Sequence, residues 1–168
     1  MEIIVHGVDP RASQADKITP PEPLPFVSRQ RLAKVRHRVE PPTNCPHCGG
    51  SVRLVNNQEV YGTPSGNWPY LYLCDDGLLD SCGAYVGLHY GTDLPFGPLA
   101  TAGMRRQRAL VKPLFRQVVK ENFGGDVGAA YRWLASAMGV ERTHCHFGMF
   151  TETQCQTAYK LLYERGMK

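Results

Sequence analysis

The last third of the chain carries apolar residues at helical spacing. Across residues 101–122, seven apolar side chains fall near one face of a helix, and most basic side chains fall on the rest of its surface. Pro113 interrupts this pattern. Because a proline inside a helix removes one backbone hydrogen bond and costs about 3 kcal/mol, it predicts either a kink or two shorter helices.

Two further helices are predicted in this region. Residues 127–138 have apolar side chains at helical spacing, preceded by Asp126, which can cap a helix N-terminus. They are followed by Gly139, which can adopt the left-handed conformation that ends many helices. A capping box over residues 151–154 predicts the start of the last helix. Residues 101–168 are therefore predicted to form a small helical subdomain.

The middle of the chain alternates short apolar runs with turn residues. Residues 52–55 and 59–61 flank a polar turn, and this arrangement predicts a β-hairpin. Residues 70–73 are aromatic and aliphatic and predict a third strand, and residues 84–89 predict a fourth. Residues 45–100 are therefore predicted to form a small sheet with too little apolar surface to fold unaided.

The N-terminal region has a different composition. Residues 2–7 predict a short strand, and residues 9–26 hold five of the thirteen prolines, which predicts an extended tether over the surface. Ser28 can then cap a helix over residues 29–38, in which five of ten residues are Lys or Arg. Residues 1–44 are therefore predicted to be an arm that ends in a basic helix.

Two pairs of cysteines dominate the candidate chemistry. Cys45 and Cys48 are separated by two residues and followed by glycines, a spacing that points two sulfurs at one place. Cys74 and Cys82 form a second pair with seven intervening residues, where two to four are usual. Together they predict one structural Zn²⁺ held by four thiolates. The overall prediction is an α+β fold, in which the zinc-ribbon sheet is followed by the helical subdomain.

Two histidines offer alternative ligands. His47 lies inside the first cysteine pair and His89 follows the fourth predicted strand, so either could replace Cys82 if the long spacer displaces that cysteine. A closed site of four cysteines has no open coordination position. It predicts a structural role for the metal and not a catalytic one.

The order of motifs resembles a known family. Five segments carry the resemblance: C-P-H-C-G-G from Cys45, C-G-A-Y-V-G-L-H from Cys82, G-T-D-L-P-F-G-P-L-A from Gly91, A-Y-R-W-L-A-S-A-M-G from Ala130, and C-H-F-G-M-F-T-E-T-Q-C from Cys145. Over about residues 45–158 the chain is similar to the uncharacterised zinc-finger-containing proteins of bacteriophages and bacteria. The resemblance implies a zinc site at the four cysteines and carries no established activity. Residues 1–44 lie outside it.

The charges are unevenly distributed along a chain whose net charge is +4. Basic and acidic residues number 7 and 5 in residues 1–44, 1 and 5 in residues 45–100, and 11 and 5 in residues 101–168. The acidic ribbon would repel phosphate, so nucleic-acid contacts are predicted on two basic helices. The predicted contact residues are Arg29, Arg31, Lys34, Arg36, Arg38, Arg105, Arg106, Arg108 and Lys112.

Two binding functions are consistent with this pattern. The leading hypothesis is a non-enzymatic zinc-ribbon protein of phage type that binds nucleic acid, or the machinery that processes it, through the basic helices. The alternative is an inhibitor or adaptor that docks on a host protein. Its contact would be the acidic ribbon together with Leu78 and Leu79, which form an apolar tip between acidic residues.

Enzymatic alternatives have weaker support. His144, Cys145 and His146, with Cys155, could hold a second metal or form a Cys-His nucleophile, although small buried thiols are common core residues. Asp75, Asp76 and Asp80 suggest a divalent-metal nuclease, but solvated carboxylates are the default on such a loop. The sequence has no phosphate-binding loop, dinucleotide fingerprint, nucleophile elbow or zinc-peptidase motif, and no small-molecule substrate is predicted.

The expected compartment follows from the cysteines and from the apolar runs. The sequence has no apolar run long enough to span a bilayer, and its first residues lack the pattern of a signal peptide. A reducing compartment favours metal binding over disulfides for six cysteines that include a C-x-x-C pair. A cytoplasmic location is therefore expected, in the host cell if the protein is phage-encoded.

Overall fold

The computed structural model of the protein describes residues 4–75 and 82–168. The chain forms two compact units, Met1–Thr101 and Ala102–Lys168. The first contains short antiparallel strands and the second contains helices, so the predicted α+β class is confirmed. Among the described residues, no helix has the length and apolar character needed to cross a membrane.

The first unit begins with a two-stranded sheet. Strand β1 (Ile4–His6) pairs antiparallel with strand β2 (His37–Val39), and Ile4 lies opposite Val39. Between them, helix α1 covers only Arg29–Leu32, with Ser28 accepting a hydrogen bond from the backbone of Arg31 as its N-cap.

The predicted basic helix over residues 29–38 is therefore wrong beyond its first turn. The chain leaves the helix after Leu32 because residues 37–39 pair with β1, a partner more than thirty positions away. Leu32 and Val35 are buried against Leu94, so two apolar residues of this segment pack into the first unit. The basic residues of this segment consequently do not lie on one helix.

The tether over residues 9–26, predicted to run over the surface, packs partly into the apolar core of the first unit. Leu24 is buried in the same apolar cluster as Cys45 and Tyr72. A short 3₁₀ helix, Pro10–Ala12, follows Asp9, whose carboxylate accepts the backbone N–H of Arg11. Proline-rich composition predicted the lack of regular structure here but not the burial.

The second sheet supports the candidate metal site. Strands β3 (Val52–Asn56), β4 (Tyr70–Cys74) and β5 (Tyr85–Gly87) are antiparallel, and β4 lies in the centre. The register pairs Val52 with Cys74 and Leu73 with Tyr85. The third and fourth predicted strands are therefore present.

The predicted hairpin between residues 52–55 and 59–61 is wrong. Residues Gln58–Tyr61 form a one-turn helix, α2, and β3 pairs with β4 instead. The buried Asn57 explains the difference, because its amide donates to the carbonyl of Ser65 (2.9 Å) and accepts the N–H of Ser65 (3.0 Å). These bonds hold a long connection where a tight turn was expected.

The second unit contains three helices, α3 (Ala102–Asn122), α4 (Val127–Met138) and α5 (Glu152–Gly166). The predicted bounds and caps of α4 are confirmed, since Asp126 accepts the N–H of Ala129 and Gly139 has φ of 70°. The capping box of α5 is also present. Two short 3₁₀ helices, Arg142–His144 and Phe147–Met149, connect α4 to α5.

Helix α3 continues through Pro113, so of the two predicted alternatives, a kink or two shorter helices, the division into two helices is wrong. Pro113 and Ala109 are both exposed. The carbonyl of Ala109, which a proline four residues later leaves without a partner, can therefore bind water. The apolar side of α3 packs with α4, α5 and the 3₁₀ segment into one core that includes Phe115, Leu134 and Phe150.

Candidate metal centre

Four cysteines from separate parts of the first unit meet at one point. Cys45 and Cys48 flank the first turn, Cys74 ends β4, and Cys82 lies three residues before β5. Their sulfur atoms all lie within 4.8 Å of one another. Across residues 4–75 and 82–168 this is the one group of three or more possible ligands close enough to share a metal ion.

The turn at each cysteine pair aims backbone N–H groups at sulfur. The N–H of His47 donates to Sγ of Cys45, and the N–H of Gly50 donates to Sγ of Cys48, both at 3.4 Å. Gly49 lies between Cys48 and Gly50 and has φ of +76°, a backbone conformation that favours glycine. Because N–H donors stabilise thiolates, these turns prepare the sulfurs for a cation.

The second turn repeats this arrangement. The N–H of Ala84 donates to the sulfur of Cys82, and Gly83 between them has φ of +63°. Cys48-Gly49-Gly50 and Cys82-Gly83-Ala84 therefore share one local conformation, in spite of the different spacers in front of them. The glycine after the second cysteine of each pair was a sequence signal for this repeat.

The distances fit a zinc ion and not a disulfide. The sulfurs of Cys45 and Cys82 lie 3.5 Å apart, and those of Cys48 and Cys74 lie 3.3 Å apart. A disulfide would bring two sulfurs to about 2.05 Å. Four sulfurs at about 2.3 Å from one Zn²⁺ lie roughly 3.8 Å apart in an ideal tetrahedron. The donor set and its spacing therefore support a structural zinc site, as predicted.

The acid-base properties of the thiols couple metal binding to pH. The N–H of Gly50, and after it the thiol of Cys74, lower the pKa of Cys48 to about 7. Burial raises the pKa of Cys74 and of Cys82. A thiol below its pKa is protonated, so Zn²⁺ must displace protons from Cys74 and Cys82 on binding.

The two histidines considered as alternative ligands have other contacts. The Nε2–H of His47 donates to the carbonyl oxygen of Leu99 at 2.7 Å, which ties the first cysteine turn to the segment after β5. The ring of His89 packs on Phe96 with centroids 4.7 Å apart, and burial lowers its pKa. Neither belongs to the group of metal-ligating atoms.

The second candidate cluster, His144, Cys145 and His146 with Cys155, has its two cysteines in an apolar core. Cys145 and Cys155 are fully buried in the apolar core of the second unit, and burial raises the pKa of both thiols. His144 lies 3.7 Å from the carboxylate of Glu141. The structure thus assigns both cysteines to packing, which was the favoured interpretation of the sequence.

The acidic loop between the second pair of cysteines is only partly described. Leu78, Leu79, Asp76 and Asp80 lie outside the described residues. Asp75 forms an ion pair with Arg53, and Arg53 also contacts Glu59 at 3.1 Å.

Three of the five N-terminal basic residues predicted to contact nucleic acid have side-chain contacts or buried polar atoms within the first unit. Arg29 has Nε and Nη2 buried without a hydrogen-bond partner among the described residues. The guanidinium of Arg31 lies over the ring of Tyr90 at 4.7 Å, and Arg38 pairs with Glu40 at 2.8 Å. Of the five predicted contacts in this segment, two remain as exposed side chains without such a contact, Lys34 and Arg36.

The predicted contacts on α3 divide into exposed and buried side chains. Arg106 and Lys112 are exposed and Arg105 is half-buried. Arg108 is 9% exposed, and its Nε and Nη2 donate to the carbonyl of Phe150 at 3.2 and 2.9 Å. Arg108 therefore holds the loop before α5 and is removed from the set of candidate phosphate contacts.

Two features of the first unit were missed from the sequence. Arg11 joins the carboxylates of Asp9 and Asp93 at 2.9 and 2.8 Å, and the hydrogen bond from Arg11 lowers the pKa of Asp9. The segment around Asp93 is also held by the hydroxyl of Tyr72, which donates to its carbonyl at 2.6 Å. Asp93 is 82 positions from Arg11 and 21 positions from Tyr72, so no local pattern indicates these two contacts.

Comparison with protein families matches residues 41–165 to a family described as a zinc-finger-containing domain. Comparisons with curated proteins and with solved structures gave no match. The matched segment contains all four clustered cysteines and covers most of the chain. The protein therefore belongs to this family of zinc-finger-containing domains.

Proposed function

We propose that this protein is a non-enzymatic nucleic-acid-binding protein, in which the zinc ribbon is structural and one face of α3 contacts phosphates. The observation that carries the proposal is a continuous basic face on this helix. We call that face the basic stripe, and its residues are Arg105, Arg106, Lys112, Arg116 and Lys120.

Helix geometry places the basic stripe on one side of α3. Each residue turns an α-helix by about 100°, so the five side chains fall within an arc of about 120°. Glu121, the one acidic residue of α3, lies outside this arc. Arg116 and Lys120 extend the stripe beyond the residues predicted from the sequence.

The stripe is available to a polyanion. Arg106, Lys112, Arg116 and Lys120 are exposed. None of these four forms an ion pair with a described residue. Unpaired cations that meet phosphates release condensed counterions, which gives affinity that falls steeply with salt.

The rest of the chain has less positive charge available to bind phosphate. Residues 45–100 carry 1 basic and 5 acidic residues, and four thiolates around one Zn²⁺ add about two negative charges. Two N-terminal arginines are engaged, Arg31 with Tyr90 and Arg38 with Glu40. The stripe on α3 is therefore the surface with the strongest support. The cytoplasmic location expected from the cysteines is part of this proposal.

The test compares two triple variants of equal charge. Lys112→Gln, Arg116→Gln and Lys120→Gln remove three cations from the stripe. Arg132→Gln, Lys160→Gln and Lys168→Gln remove three exposed cations elsewhere in the second unit. Binding of zinc-loaded protein to single-stranded DNA, duplex DNA and RNA is measured over a range of salt. For single strands, the slope of log affinity against log salt should be less steep by about 2 in the stripe variant than in the unaltered protein. In the control variant this slope should change little.

Two results would overturn the proposal. One is the absence of binding to all three nucleic acids at low salt. The other is an equal loss in both triple variants, which would indicate an effect of net charge alone. The rival docking hypothesis would gain if a single protein partner bound in stoichiometric amounts after nuclease treatment, and if Leu78→Asp abolished that binding.

A further inference from the structure

A cavity of about 380 Å³ lies directly beside the basic stripe. Its apolar wall includes the rings of Phe115, Tyr131 and Phe147, which come from α3, α4 and the 3₁₀ segment. Lys112 and Arg116, two members of the basic stripe, also line it. The cavity therefore combines an aromatic wall with a cationic rim.

The aromatic wall is a compact cluster. The ring centroids of Phe115 and Tyr131 lie 4.6 Å apart, and those of Phe115 and Phe147 lie 5.3 Å apart. The guanidinium of Arg142 lies 4.7 Å from the ring centroid of Tyr131 and donates to the carbonyl of Cys145. Arg142 is thus a positioning residue that holds Tyr131 in the wall.

The combination limits what the cavity can bind well. An uncharged apolar ligand would use the aromatic wall and leave the two cations without a partner. A base-paired duplex would use the cations, but its bases are already stacked and paired. A flat aromatic group attached to an anion satisfies both parts at once.

We propose that this cavity holds an unstacked base of single-stranded nucleic acid, with the adjoining phosphates on Lys112 and Arg116. The inference rests on the proposed function and deepens it, because it selects single strands over duplexes. Base contacts with aromatic side chains tolerate any sequence, since every base has a π-face. The protein consequently binds single strands with little sequence preference.

The first experiment distinguishes the contribution of the bases to affinity from that of the phosphates. Full-length zinc-loaded protein is titrated with an oligothymidylate of about twelve nucleotides and with an abasic tetrahydrofuran oligomer of the same length and charge. Affinity for the oligothymidylate is expected to be about tenfold higher or more. The salt dependence should be the same for both, because their phosphates are the same.

The second experiment fills the cavity. Val127 lines it and is 50% exposed, so Val127→Trp can occupy the space without entering the core. This variant should lower affinity for the oligothymidylate to that for the abasic oligomer and leave the abasic affinity unchanged. Leu110→Trp is the matched control on α3, because Leu110 is 62% exposed and lies outside the cavity lining. Helical circular dichroism verifies that both variants fold.

Each outcome decides between the two proposals. If neither oligomer binds at low salt, the proposed function fails and this inference fails with it. If both bind equally, the basic stripe stands and the base-binding cavity is overturned. If Val127→Trp weakens both oligomers by the same factor, the substitution obstructs phosphate contacts, and the base-binding cavity is likewise overturned.

Discussion

The two compact units hold themselves together by different means. In the second unit, thirteen buried residues from three helices and the segment between them form one apolar core. Among the described residues of the first, two separate apolar clusters contain seven and three buried residues, and two of the seven are the metal-site cysteines Cys45 and Cys74. A sheet with so little apolar burial depends on metal ligation for much of its folding free energy.

Removal of zinc should have the largest effect on stability, because it should unfold the first unit and leave the second unit folded. Structural zinc contributes about 10 kcal/mol or more to the folding of small domains. Each unit contains one of the two tryptophans, Trp68 in the first and Trp133 in the second. A chelator should shift the emission of Trp68 in a Trp133→Phe variant towards that of exposed tryptophan. It should leave Trp133 unchanged in a Trp68→Phe variant.

The control for chelation is the addition of excess zinc, which should restore Trp68 emission. A simultaneous change at both tryptophans, together with loss of helical circular dichroism, would show that the units fold as one. That result would remove the basis of the comparison.

A core substitution in the second unit should destabilise that unit and leave the first unit unaffected. Leu134 is fully buried, so Leu134→Ala should lower the free energy of unfolding of this unit by about 2–5 kcal/mol. Urea unfolding followed by Trp133 measures the change, and zinc content should stay the same. Leu110→Ala is the matched control at a 62% exposed leucine, where the expected effect is within about 0.5 kcal/mol.

The cysteines of the two units should differ in their reactivity towards alkylating reagents. Burial raises the pKa of Cys145 and of Cys155, so at neutral pH both are protonated as well as inaccessible. After chelation, iodoacetamide should label the four metal-site cysteines about a hundredfold faster than these two. Mass spectrometry counts the labels, and protein in urea should take up all six. Equal rates for all six after chelation alone would contradict the prediction.

The smallest of these effects concerns the Arg11 ion pairs inside the first unit. Arg11→Met leaves two nearly buried carboxylates, Asp9 and Asp93, without their cation. We expect a loss of about 2 kcal/mol in the unfolding of the first unit, followed by Trp68. Arg11 holds the pKa of Asp9 below its ordinary value, so this stabilisation is complete at neutral pH. It disappears only as the pH falls through the lowered pKa.

The control for this substitution is Arg36→Met, at an exposed arginine of the same unit. Its effect should be within about 0.5 kcal/mol. If both substitutions lower the free energy of unfolding by the same amount, the ion pairs of Arg11 with Asp9 and Asp93 do not stabilise the first unit.

Local signals predicted the parts of the fold that depend on nearby residues. Asp126 and Gly139 delimit α4 because a cap and a left-handed glycine act within a few positions. The four cysteines were identified because paired thiols at short spacing are typical of zinc ligands. The match to a family of zinc-finger-containing domains supports the same metal.

Several of the failures share one physical cause, which is that distant partners override local propensity. Residues 33–38 leave their helix because His37–Val39 pairs with Ile4–His6. Arg108 was counted with the surface cations, yet the carbonyl that receives its hydrogen bonds belongs to Phe150, 42 positions later. The cavity beside the basic stripe was not anticipated for the same reason, because its rings come from three separate segments.

We infer that one zinc ion, held by four sulfurs, organises the first unit. X-ray absorption at the zinc edge, combined with metal analysis of the purified protein, tests this inference. We expect one zinc per chain with four sulfur neighbours at about 2.3 Å. A nitrogen or oxygen in the first coordination sphere, or a metal-free protein in which Trp68 is already buried, would contradict it.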